Sequence, residues 1–161
     1  MTTLRAGWRW HSFGDMASSP FQYGNCVTLA YTAVQPAPTE AKARELARLA
    51  MDKGLLDWYG RAPARGEPQW AALIGYRIAE RFEPVITRAT VMCRDAWGGW
   101  YERWQKIGAP TLAQFAKGIG AHGHWVAYTY AHAQAVVDGK VCGYASMRRR
   151  LRYAVRVEPL T

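Results

Sequence analysis

The pair Asp138-Gly139 constrains this chain most. It separates two runs rich in apolar residues, Ala131 to Val137 and Lys140 to Ala145. An Asp-Gly pair suits a type I′ turn, because both central positions need positive φ. Such a turn joins its strands antiparallel and fixes their register. Counting outward, Val136 should face Val141 and Gln134 should face Gly143. His124 to Tyr130 and Leu151 to Val157 read as two more strands of the same kind. The last third therefore predicts an antiparallel meander.

Upstream the apolar period changes. Val27, Leu29, Ala30, Tyr31 and Val34 follow Cys26 on a segment apolar nearly all round, as expected of a core helix. That helix should end near Gln35-Pro36-Ala37-Pro38, since proline cannot continue it. Thr39 is placed to cap a second helix from Glu40 to about Lys53, with Gly54 as its stop. Gly60 to Pro68 reads as a loop. Trp70, Leu73, Ile74 and Ile78 predict a third helix from Glu67 to about Phe82. Val85 to Met92 reads as a strand. Trp97, Trp100, Tyr101 and Trp104 fall at helical spacing within Asp95 to Gln105. They predict an aromatic helix face, packed on the core or presented to a partner. Thr111 should cap a short helix. Helices first and a sheet last is the α+β pattern. A length of 161 residues suits one domain, 1–161.

Composition narrows the function classes. Half the residues are hydrophobic, which excludes a disordered chain. The 3 Cys are widely spaced, with no CxxC and no Cys/His cluster, so neither a metal nor a cofactor is expected. Met1 to Trp8 lacks an apolar stretch of the secretory kind, and no run is long enough to span a bilayer. A cytoplasmic protein without membrane contact is the expectation. The net charge of +9 raises affinity for nucleic acid and acidic partners. Its densest patch is Arg148-Arg149-Arg150-Leu151-Arg152. That patch reads either as a solvated turn and strand face or as a weak, non-specific nucleic-acid contact without a recognition motif.

One stretch carries candidate chemistry: Gly24-Asn25-Cys26-Val27 opening a helix. Asn25 is a good N-cap residue. In the first turn, free N–H groups and the macrodipole favour a thiolate at Cys26. A lone Cys in an apolar segment is also a common inert core residue. A catalytic Cys needs a base. Two candidates stand in the sheet: His132, flanked by small apolar residues on a strand, and His124, at a strand edge after Gly123. Each reads equally as a satisfied core histidine. Gln22, just before Cys26, could donate an N–H to an oxyanion or be an exposed loop residue.

Asn25-Cys26-Val27, Thr111-Leu112-Ala113-Gln114-Phe115 and His132-Ala133-Gln134-Ala135-Val136-Val137-Asp138-Gly139 resemble small papain-like proteins of bacteriophages. The resemblance spans Gln22 to about Ala37 and Pro110 to Val157. It implies a papain-like fold, with N-terminal helices packed on a C-terminal antiparallel sheet. It also implies Cys26 as nucleophile and His132, rather than His124, as base. The family places an acid on the strand after the turn, and that position here is Gly143. Two functions follow. One is a cysteine hydrolase acting on an amide or isopeptide bond of a protein or peptide through Cys26, His132 and Gln22. The other is a degenerate scaffold that binds a host protein or nucleic acid through a basic, Trp-rich surface including Arg148, Arg149, Arg150 and Arg152. In both cases the cytoplasm is the expected location, that of the host if the chain is phage-encoded.

Overall fold

The computed structural model describes residues 26–56, 62, 66–130, 132–142 and 147–161. The expected cap Asn25, the expected oxyanion donor Gln22, Gly143 and most of the loop between Gly60 and Pro68 lie outside the described residues. The described residues form an α+β fold with antiparallel sheets.

The Asp138-Gly139 turn is built as its sequence requires. Asp138 has φ 48° and Gly139 φ 77°, and they join β5 (His132–Val137) to β6 (Lys140–Cys142). Val136 pairs with Val141 and Ala135 with Cys142. A Cβ on Gly139 would sit 3.2 Å from the Ala116 carbonyl, so the turn is also pressed against a neighbouring element.

The meander expectation fails beyond that hairpin. β7 (Leu151–Pro159) does not continue past β6. It returns to pair with β4 (His124–Thr129), giving the order β1-β7-β4-β5-β6. The reason lies in β4, whose Trp125, Val126 and Ala127 are all buried. A strand apolar on both faces belongs in the middle of a sheet, and β4 has β5 on one edge and β7 on the other.

The edge strand β1 (Tyr76–Phe82) corrects the third helix. α3 spans only Glu67–Leu73. Gly75 at φ 73° then breaks the helix, and the chain enters β1 with Tyr76 opposite Pro159. The expected helix from Asp95 to Gln105 is also absent. Trp100–Ile107 is β3, paired in full register with β2 (Thr87–Arg94) as a separate two-stranded sheet. Asp95 makes the turn: its Oδ1 accepts from the amides of Trp97 at 2.9 Å and Gly99 at 2.8 Å. The aromatic residues expected on a core-packed face are exposed instead.

Helices cover the five-stranded sheet on both faces. α1 (Cys26–Ala33) lies against β5. Its Ala30, Tyr31 and Ala33 share a core with Val126, Ala133, Ala135, Val137, Val155 and Val157. α2 (Glu40–Asp52) packs chiefly on α1 and α3 rather than on the sheet itself. Thr39 caps α2, accepting from the Lys42 amide at 3.2 Å. α4 (Leu112–Lys117) follows the hairpin and covers the opposite face. Its Leu112 and Phe115 meet Trp125, Ala127, Val136, Leu151 and Ala154. Full burial of a Phe such as Phe115 contributes about 1.5–3 kcal/mol. A capping box between Thr111 and Gln114 starts α4. So an N-terminal helix and a helix late in the chain share the work of covering the sheet.

Candidate active site

Cys26 is the first residue of α1 and is half-buried. Three main-chain amides, those of Ala133, Val27 and Cys26 itself, lie near enough to its thiol to favour the charged form. The first belongs to β5; the other two are free because the first turn of a helix leaves its N–H groups without intrahelical acceptors. The amides and the charge of Arg149 all favour a thiolate, but burial outweighs them. The thiol is therefore pushed above its ordinary value. Helix-start position alone predicts the opposite direction. The difference arises because α1 is inserted into a core, where removing water from the charged form costs more than four modest favourable terms return.

His132 opens β5, and Ala133, whose amide lies near Cys26, is the next residue. The nucleophile and base expected from the sequence thus come to the same end of one strand. Strand alternation separates their faces, however. α1 lies over Ala133, Ala135 and Val137, whereas His132 shares the other face with Gln134 and Val136. The imidazole is held there: His132 Nε2 lies 2.7 Å from Gln134 Oε1. An amide oxygen only accepts, so Nε2 carries a proton in this contact. Gln134 is 4% exposed, which fixes the acceptor in place.

Gln134 holds the His132 ring, a role that its sequence neighbours alone do not announce. The signal lies in the spacing: a glutamine on the same strand face as a histidine two positions away. A buried amide needs a partner, and the histidine is the nearest one along that face.

His124 has a different task. Its Nδ1 donates to the Val34 carbonyl at 2.6 Å, tying the end of α1 to β4. An open cavity of about 480 Å³ is lined by Tyr130, His132, Arg149 and Arg150. Arg150 also donates to the Ala109 carbonyl at 2.9 Å. Arg148 and Arg152 are exposed, while nearby Arg156 is ion-paired with Glu80 and Glu158. The basic run is thus divided: Arg149 and Arg150 border the cavity beside His132, and Arg148 and Arg152 face solvent. Among the described residues no group of three or more His, Cys, Asp or Glu side chains is arranged to hold a metal ion. No helix among them is long and apolar enough to cross a membrane.

Comparison with protein-family models, curated proteins and solved structures returned no match.

Proposed function

We propose that the protein is a papain-like cysteine hydrolase acting on an amide or isopeptide bond of a protein or peptide. The observation that carries this reading is the His132–Gln134 hydrogen bond, on the strand that α1 packs against just after Cys26. It supplies what the sequence lacks at Gly143: a group that fixes the imidazole tautomer and orientation.

In this reading Cys26 rests as a neutral thiol rather than as half of an ion pair. Because His132 lies on the sheet face opposite α1, the thiol proton passes to its ring through water at the end of β5 as Sγ attacks the carbonyl carbon of the scissile bond. The oxyanion gathers its hydrogen bonds from the Cys26 amide, with Gln22 as a further donor. The C–N bond then breaks, and His132 returns the proton to the departing amine. Water, deprotonated by His132, attacks the thioester; the carboxylic acid leaves and Cys26 regains its proton. Arg149 and Arg150 favour substrates with an anionic group beside the scissile bond.

A second reading is favoured by one observation, the upward shift of the Cys26 thiol. A scaffold that has lost catalysis, and binds a host protein or nucleic acid, has no need of an activated nucleophile. Peptide-library cleavage followed by mass spectrometry separates the two. Cleavage lost in both Cys26→Ala and His132→Ala supports the hydrolase. A folded wild type that cleaves nothing between pH 5 and pH 9, a range set on the order of imidazole and thiol titration, supports the scaffold.

A further inference from the structure

We propose that one face of the β2–β3 hairpin binds a single-stranded nucleic acid, independently of the cysteine site. The register sets Arg88 opposite Lys106, Thr90 opposite Trp104, Met92 opposite Glu102 and Arg94 opposite Trp100. These eight residues alternate with the others along both strands, so they share one face. Every one of them is exposed, with Trp100 at 64% and Trp104 at 73%. The hairpin leaves two indoles in water with no core beneath them, a costly arrangement for a face without a partner.

The charges say what kind of partner fits. Three cations stand on the face against one carboxylate, in a chain of net charge +9. Arg88 and Lys106 lie directly across from each other, a like-charge pair that destabilises a bare hairpin. Neither takes part in the ion pairs among the described residues. A phosphate between them removes the repulsion. Arg94 covers Trp100 at 5.3 Å from the ring centre and extends the same cationic, aromatic surface toward the turn. Trp100 and Trp104 are about 13 Å apart along the strand, leaving room for a base on each ring. Unpaired bases offer the π-faces that such indoles stack on; a duplex hides them. A membrane also accepts Trp and Arg, and the turn presents an exposed Trp97 beside Arg94 and Asp95. The cations, however, run the length of the face, from Arg88 and Lys106 to Arg94, as a strand of phosphates does and a hairpin inserting by its tip does not need.

The test uses the full chain and a labelled oligo-dT and oligo-U of about 15 nucleotides, a length within the usual single-strand site sizes. Fluorescence anisotropy should show binding that exceeds binding to a duplex of equal length and weakens steeply with salt. Trp100→Ala and Trp104→Ala should each lower affinity about tenfold. Arg88→Gln with Lys106→Gln should flatten the salt dependence. All four side chains are exposed, and circular dichroism of each variant should match the parent. An affinity unchanged in the Trp100→Ala/Trp104→Ala double variant overturns the proposal and moves binding to Arg148 and Arg152. Capture by anionic vesicles without oligonucleotide binding overturns it in favour of a lipid surface.

Discussion

His132 Nε2 and Gln134 Oε1 lie 2.7 Å apart, two residues along a single strand. Holding the imidazole from its own strand makes the arrangement rigid, because one backbone holds both groups. The partner is an amide, which positions the imidazole without adding charge.

Gln134→Glu should convert that contact into an ion pair. A carboxylate beside the ring favours imidazolium, and the His132 titration should move to higher pH. Proton NMR of the His132 ring against pH measures this. Gln134→Leu should leave the Nε2 proton without its acceptor and cost about 1–3 kcal/mol of stability. Under the hydrolase reading it should also slow turnover, by up to about 10⁴ on the template of a lost orienting group. A His132 titration unmoved by Gln134→Glu would show that the ring leaves Gln134 in solution.

Burial of Cys26 makes a statement about stability as well as reactivity. A free thiol titrates near pH ~8.5, and the folded protein holds Cys26 above its ordinary value. Above that pH the unfolded chain releases a proton that the native chain keeps. The native state then binds more protons, so stability falls as pH rises. Tyr31, buried, and Tyr128, half-buried, with hydroxyls 3.0 Å apart, are shifted upward as well and add to the fall above pH ~10. The melting temperature should be flat near neutrality and decline above about pH 8.5, and Cys26→Ala should flatten the first part of that decline. Iodoacetamide should label Cys26 slowly at about pH 6, the reverse of a preformed thiolate. Rapid labelling of Cys26 there would mean that water reaches the thiol.

The hairpin turn gives a purely structural test. Gly139→Val places a β-branched residue at φ 77° and a Cβ 3.2 Å from the Ala116 carbonyl. Both effects should destabilise the protein, together by about 1–3 kcal/mol. Urea unfolding measures it, and Gly139→Ala should fall between the two. Equal midpoints for all three proteins would show that the turn relaxes to another geometry.

What was legible in the sequence was local. Thr39, the Thr111/Gln114 box and Asp138-Gly139 act through bonds within a few residues, so their chemistry is visible without knowing the fold. β1 was hidden because what makes it a strand is pairing with residues about the far end of the chain, Ala154 to Pro159. β3 was hidden by a coincidence of periods. A spacing of four, Trp100 to Trp104, returns a side chain to the same face of a helix and of a strand. The turn at Asp95-Ala96-Trp97-Gly98-Gly99 was the signal that separates the two, and it outweighs the spacing. At the site, the helix start at Cys26 and the strand at His132 were legible, but not that the strand would turn His132 to the face away from α1. The Gln134 contact was not legible either, because the resemblance implies a third group on the next strand. The direction of the Cys26 shift was out of reach as well, since it depends on how deeply the helix start sits in the core.

The two sheet histidines separate an enzyme from a scaffold. His124→Ala removes the Nδ1 bond to the Val34 carbonyl and should cost about 0.5–1.5 kcal/mol of stability while leaving Cys26 chemistry unchanged. His132→Ala leaves the buried Gln134 amide without its partner and should cost about 1–3 kcal/mol of stability while keeping the strand ladder, which urea unfolding and circular dichroism check. Under the hydrolase reading it removes the general base, because a neutral, buried thiol has no other route for its proton near pH ~7. Alkylation of Cys26 by a peptide-like electrophile should then rise with pH through the His132 pKa in the wild type and in His124→Ala. In His132→Ala the rise should vanish, leaving only the slow increase of a buried thiol at alkaline pH. If His132→Ala alkylates with the wild-type profile, the imidazole does not serve Cys26 and the scaffold reading stands. If His124→Ala also loses the neutral-pH rise, the tie between β4 and the end of α1 is what holds Cys26 against Ala133. In that case the loss should be recovered by His124→Gln, whose amide N–H can donate to the same carbonyl.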